Sequence, residues 1–390
     1  MLLYNMLIRI DSNRDSKLKK SYENNDLTEF KRLIDLGENV NCVANNLVFP
    51  SGKKCLGHFS LLCTIMWNFA EYPDDVNFEF FKAVMGADPY MGAIGQEASV
   101  IQFATNDLSK NISSKYLKLI LQKDIDINCT GERKYGLVLK KKLPPPIFSK
   151  EILSNQEKLN LILSCNPNLK IKFDIYNTSC KLPILNYAIR CYFENNSIDS
   201  IDLNEMISSL IEHGADPSQS DRDSRNALHV LIAHTDDKKL YDILLENNVD
   251  INSKDQYGYT PLRHASFMST IDLMQYFIER GADINTKCDH GITCAMVCAQ
   301  KLDYKKLDFL FKSNANFMDV DNDGCGLSHY IVYGILNHSN CVDEATKFFK
   351  KHPKLLDVKN VKNETALDLL KKRSVQKHKI LESQLSELEK

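Results

Sequence analysis

Between residues 205 and 316 the apolar positions recur at helical spacing, in short runs separated by polar breaks. Ile271, Met274 and Ile278 lie three and four residues apart, which places them on one helix face. The run before it begins at Thr260-Pro261. A threonine there can cap a helix whose first residue, proline, has no N–H left to satisfy. Leu262 and Ala265 then share a face one turn apart. Each second run closes on a short polar ending: Gly214-Ala215-Asp216, Asn248-Val249-Asp250, Gly281-Ala282-Asp283 and Asn314-Ala315-Asn316. These endings follow one another at 34, 33 and 33 residues. Gly281 falls where a helix stops in a left-handed residue that glycine adopts without cost. A pair of helices this short cannot bury its own apolar faces, so the pattern predicts stacked pairs.

The flanks carry the same pattern in degraded form. Leu27, Phe30, Leu33 and Ile34 predict a helix, followed by an ending from Leu36 to Asn41. Further endings are read at Gly86-Ala87-Asp88-Pro89, Asp124 to Asn128 and Asn166-Pro167-Asn168, with apolar helices at Leu61 to Ile65, Val100 to Ala104 and Pro183 to Ala188. Insertions are expected at Asn45 to Gly57 and Glu194 to Asp202. Gly131 to Pro146, with Lys140, Lys141 and Lys142 before Pro144-Pro145-Pro146, reads as an extended solvated loop. Its functional alternative is a proline-rich ligand for a recognition module. Near the end, Asn363 to Leu367 opens a last unit, and Leu381, Leu385 and Leu388 stripe a tail that caps the stack. The start, MLLYNMLIRI, lacks a basic flank and a small-residue cleavage site and reads as a capping segment.

The period, with Gly258-Tyr259-Thr260-Pro261-Leu262 and Ala265 at one end and Gly281-Ala282-Asp283-Ile284-Asn285 at the other, resembles the ankyrin repeat. The resemblance covers residues 15–370 in about nine repeats and is most specific over 205–316. It implies an all-α solenoid of stacked helix–turn–helix repeats with short β-hairpin tips. Three regions follow: degenerate repeats in 1–205, regular ones in 206–370 and a helical cap in 371–390. His229 and His329 stand where the family places a histidine, whereas one repeat has Arg263 there with His264 beside it. The next repeat replaces Pro, Leu and His by Cys294, Ala295 and Met296.

The resemblance also implies a function, which is protein–protein interaction without catalysis. The family's variable positions map to Gln256, Tyr257, Tyr259, Phe267 and Met268, with Arg222, Asp223, Arg225, Asp289, His290 and Ile292 flanking them. Exposed aromatic side chains are what binding hot spots use. Leu244 to Asn252 further resembles the ankyrin sequence taken by an asparaginyl hydroxylase, with Asn252 the target and Asn285 a weaker one. Irregular ankyrin proteins of this kind resemble host-directed effectors of intracellular bacteria and ankyrin proteins of large DNA viruses. The absence of an F-box-like LPxE signature favours the bacterial comparison. The expected protein is a monomer that binds a host protein, cytoplasmic or delivered into a host-cell cytosol.

Composition changes this picture little. Hydrophobic residues make up 43% and charged residues 26% of the 390, as in soluble foldable chains. A net charge of −2 gives no general pull toward nucleic acid or membranes. Twelve cysteines over this length are too sparse for a disulfide scaffold, and several occupy positions that ankyrin repeats bury. Cys288-Asp289-His290 with Cys294 and Cys298 has zinc-binding residue types. Two of those cysteines fall on helix positions of a repeat, so no metal or cofactor is expected. Cys55, His58 and Cys63 lack paired spacing, and neither GxxxxGK[ST] nor GxGxxG occurs. The competing function is an effector enzyme with its active site in 42–205 and the repeats as a targeting arm.

Overall fold

Each regular helix pair begins and ends by a chemical device visible in its own residues. The computed structural model describes residues 17–38, 43–45, 58–60, 75–87, 114–123, 131–135, 139–143, 145–173, 181–194, 201–337 and 342–373, with a few single positions besides. The chain forms two compact units, Met1–Asp216 and Pro217–Lys390.

In Pro217–Lys390 the helices through residue 312 are α9 (Ala227–Ile232), α10 (Lys238–Glu246), α11 (Pro261–Met268), α12 (Ile271–Glu279), α13 (Cys294–Gln300) and α14 (Tyr304–Lys312). Each is capped by a side chain that accepts a first-turn N–H, from Asn226, Asp237, Thr260, Thr270, Thr293 and Asp303 respectively. The second helices end in left-handed residues: Asn248 at φ 63°, Gly281 at 93° and Asn314 at 64°. At Gly281 the chain folds back so that Ala282 N–H reaches Phe277 O (3.0 Å) and Gly281 N–H reaches Ile278 O (3.0 Å). Gly37, Gly214 and Asn166 are left-handed too, as their endings predict. Gly86 is not; it is the last residue of a helix, Asp75–Gly86, that runs through the expected stop.

First helices stack on first helices: α9 on α11, α11 on α13, and α13 on α15 (Leu327–Asn337), which meets α17 (Ala366–Arg373). Leu262 and Ala265 are buried at these contacts, as are Cys294, Ala295, Met296 and Cys298, so the departures in that repeat still supply apolar core. Between α15 and α17 lie α16 (Val342–Lys351) and a 3-10 turn, Pro353–Asp357.

The tips are hairpins in minimal form. Each is closed by a backbone bond across its base, Asp221 N–H to Arg225 O, Asp255 to Tyr259, Cys288 to Ile292, Asp321 to Cys325 and Asn360 to Glu364, with a second inside it from the fourth residue's N–H back to the first residue's carbonyl. One further bond joins each tip to the next, donated by the N–H of Gln256 to Asp223 O, Asp289 to Tyr257 O, Asn322 to His290 O and Val361 to Asp323 O. A side chain holds the turn itself. Asp255 Oδ1 accepts the N–H groups of Tyr257 and Tyr259 at 2.9 Å each, and Asp221, Asp321 and Asn360 do the same in their tips. The 288–292 tip has Cys288 at this position, so that acceptor is missing from the set.

Met1–Asp216 is less regular and richer in buried aromatics. Among the described residues its helices are α1 (Lys17–Glu23), α2 (Leu27–Asp35), α3 (Asp75–Gly86), α4 (Ser114–Leu121), α5 (Lys150–Leu153), α6 (Gln156–Leu163), α7 (Ile184–Glu194) and α8 (Leu203–Glu212). Phe80 of α3 meets Tyr22 and Phe30 edge-on at 5.1 and 4.8 Å, and Phe81 lies 4.5 Å from Tyr116 of α4. Two antiparallel hairpins occur here: β1 (Val43–Asn45) with β2 (His58–Ser60), and β3 (Gly131–Tyr135) with β4 (Leu139–Leu143). The second corrects the reading of 131–146 as an unstructured loop or an exposed proline-rich ligand. Its strands pair Arg133 with Lys141, and Pro146 opens a buried 3-10 turn, Pro146–Phe148, packed against α5, α6 and α7. The N-terminal decapeptide, Val100 to Ala104, Cys55, Cys63 and the leucine stripe of the tail lie outside the described residues. Among the described residues no helix is long and apolar enough to cross a membrane.

Candidate functional site

Asp255 positions the tip from which the site is built. With its Oδ1 holding the backbone of Tyr257 and Tyr259, the two rings stand 5.5 Å apart at 34°. Four residues after Tyr259, on the first turn of α11, Arg263 lays its guanidinium over the Tyr259 ring at 3.5 Å from the centroid. Another four residues on, Phe267 occupies the same helix face and carries Lys301 Nζ over its ring at 3.9 Å. Tyr257, Phe267 and Met268 are exposed to 50%, 47% and 55%. Phe267 and Met268 therefore do not tuck under a neighbouring tip. The row reads Tyr257, Tyr259, Arg263, Phe267, Lys301; Met268 is one step around the helix from it.

The flanking residues fall into two groups. Arg222, Gln256 and His290 are exposed, with backbone groups of Gln256 and His290 joining tip to tip. Arg225 is instead half-buried and bound to Asp223 and Asp221, which makes it part of the tip's scaffold. Asn252 is engaged as well: its Oδ1 accepts Asp283 N–H at 2.8 Å and its Nδ2 donates to Gly281 O at 3.4 Å. Asn285 accepts Asn316 N–H in the same way. The cysteines proposed for zinc are buried. Cys294 Sγ donates to Ile284 O at 3.1 Å and Cys298 Sγ to Ser266 O at 3.7 Å. Burial pushes the Cys294 thiol up to about 12 and Cys298 upward too, so both remain protonated.

Histidines explain why Arg263 is free for the surface. His229 Nε2 lies 3.1 Å from Tyr259 O, and His329 Nε2 donates to Glu364 O at 3.1 Å. In both cases the ring props the closing residue of the next tip. Burial lowers His229 to about 4 and His329 in the same direction, which keeps both neutral. Arg263 holds the equivalent position in its own repeat and makes no such bond to Ile292. Its neighbour His264 turns instead to Asp255, Nε2 to Oδ2 at 3.0 Å, the same tie that Tyr330 Oη makes to Asp321 at 2.7 Å. The sequence reading noted Arg263 and His264 only as departures. It missed that Tyr259, Arg263 and Phe267 repeat every four residues, the one signal that could have found the row.

Paired capped helices, stacked first helix on first helix and joined tip to tip, define a helical-repeat binding scaffold with an exposed aromatic and cationic row. Residues 197–288 match the family described as Ankyrin repeats (3 copies), and that stretch carries ankyrin repeats. Relatives agree. Ankyrin repeat protein OPG189 of variola virus is 33% identical over 37% of this chain and 25% of its own. A putative ankyrin repeat protein of Rickettsia felis is 34% identical over 20% of this chain and 26% of its own. The chain thus spans about a quarter of each of these relatives' length. Among solved structures, the ankyrin repeat domain of Bcl-3 aligns with 61% of this chain and 96% of its own, at 18% identity and a TM-score of 0.47.

Proposed function

We propose that the protein is a non-catalytic binding module that captures a partner protein on the row formed by Tyr257, Tyr259, Phe267 and Met268, with Arg222, Arg225, Gln256 and His290 around it. One observation carries this reading. Three large apolar side chains within twelve residues stand about half exposed, on a tip and helix whose backbones are fixed by capping and tip-to-tip bonds. Rigid, exposed aromatics anchor interfaces at low cost in side-chain entropy. Arg222 and Arg225 are the charges of the rim, where charge tunes association rate more than affinity.

The partner we propose is a host protein, met by a monomer in the host-cell cytosol. Relatives from a virus and from an intracellular bacterium both fit the two sources that the sequence suggests. Asn252 is proposed as a hydroxylation target, and added oxygen on that residue is the mass-spectrometric sign to seek after expression in human cells. The test of the site is a pull-down from host cytosol with the full chain, followed by titration of the captured partner. Replacing Tyr257 and Tyr259 together by alanine should weaken binding by about 2 kcal/mol or more, with circular dichroism unchanged. Full affinity in the double variant would move the interface elsewhere.

A further inference from the structure

The row is cationic as well as aromatic, and its cations lack counter-ions. Among the described residues Arg222, Arg263 and Lys301 have no carboxylate within the 4.0 Å of an ion pair, whereas several carboxylates of the same repeats are spent on the scaffold. Asp255 holds two N–H groups and His264, Asp221 and Asp223 hold Arg225, and Asp303 caps α14. Arg280 offers a control within the same protein. It also lies over a tyrosine, Tyr276, at 3.7 Å, but it is paired with Asp242 at 2.6 Å. Arg263 has the ring and no acid. It has also been released from the strut role that His229 and His329 play in neighbouring repeats. Its Nε is buried without an acceptor, so only the outer Nη groups can reach a partner.

A guanidinium or ammonium flat on an aromatic face is held in one place while its outer N–H groups stay available. Two such groups, Arg263 over Tyr259 and Lys301 over Phe267, present donors to carboxylates and ring surface to an apolar side chain. We propose, building on the binding reading above, that this row takes an acidic segment of its partner. That segment sets carboxylates against Arg263 and Lys301 and an apolar side chain against Tyr257 and Phe267. A nucleic acid fits less well. The net charge is −2, and a phosphate backbone, unlike a short acidic segment, needs cations along its whole length. Asp289, exposed and in no ion pair among the described residues, lies with its carboxylate against Gly258, between the two tyrosines, so the acidic segment must approach Arg263 and Lys301 from the Phe267 side.

The probe is a phage-displayed library of random 16-residue peptides, panned on the full chain at moderate salt. Enriched peptides are expected to carry Asp or Glu beside a large apolar residue. A synthetic peptide from the enriched set should lose about tenfold in affinity with Arg263→Ala and with Lys301→Ala. Arg263→Glu should abolish its binding and allow a version with lysines in place of its acids to bind. Arg263→Lys should fall between. Thermal denaturation of each variant checks the fold. Peptides that need Tyr257 and Tyr259 but carry no acids, or that ignore Arg263→Ala, would overturn the acidic proposal and leave the binding row standing. Peptides indifferent to the tyrosines would remove the row itself. Two further results would also count against the proposal. One is no enrichment over an Arg263→Glu, Lys301→Glu control; the other is tighter Arg263-dependent binding of labelled oligouridine.

Discussion

Asp255, Asp221, Asp321 and Asn360 each occupy one position of the tip and each accept two backbone N–H groups, so a single oxygen fixes the turn. Cys288 cannot do this, because a thiol is a weak acceptor. Its tip keeps the closing backbone bond, Cys288 N–H to Ile292 O at 3.1 Å, without the side-chain support. Cys288→Asp should therefore stabilise the protein by about 1 kcal/mol, the net worth of the added hydrogen bonds. Urea denaturation of the two proteins side by side measures it. A lower midpoint would mean that the nearly buried site does not admit a carboxylate. The repeating aspartates can be read in the sequence, but nothing in a bare sequence says which backbone groups an Asp side chain will reach. The same limit hid Arg263: its residue type is visible, its stacking on Tyr259 is a matter of rotamer.

Element boundaries were more legible, because capping and termination are local chemistry. Thr260 before Pro261, and Gly281 at the end of α12, do what short-range physics requires of them. Asn248 and Asn314 substitute for glycine because asparagine tolerates the left-handed conformation better than most residues. Gly86 misled, since a glycine can also end a helix in ordinary helical geometry when the sequence after it sets the turn. The 131–146 segment misled for another reason. It folds back as an antiparallel pair running from Gly131 opposite Leu143 to Tyr135 opposite Leu139, a pairing that no short-range rule specifies. Leu262 is a firmer case. It is buried at 1% exposure in the first helix of the best-formed repeat, and Leu262→Ala should cost about 2–5 kcal/mol. Chemical denaturation giving under about 1 kcal/mol would place that side chain outside the core. Hydrogen exchange should locate the loss in α9, α11 and α13, since repeats couple to their neighbours.

At the scale of the whole molecule, the histidines link stability to pH. Burial holds His229 near 4, below its ordinary 6.5, and lowers His264 and His329 as well. The unfolded chain therefore binds more protons than the folded one once the pH drops below about 6.5. The His229 contribution is complete above that value, is lost as the pH falls toward about 4, and changes little below. The urea midpoint should decline across this window, and His229→Gln should flatten the decline. An unchanged slope in that variant would mean that other groups govern the acid response.

The tips have a mechanical consequence. Each is tied to the next by a single backbone bond, and the bonds run in series along Pro217–Lys390. A series of links yields at its weakest member. Stretched by its two ends, this unit should give way where Cys288 replaces the bracing acid. The tear would begin beside Tyr257, whose carbonyl receives the bond from Asp289. A partner spanning Tyr257, Phe267 and Lys301, as proposed above, would bridge that gap, and the unit would then resist traction better than it does alone.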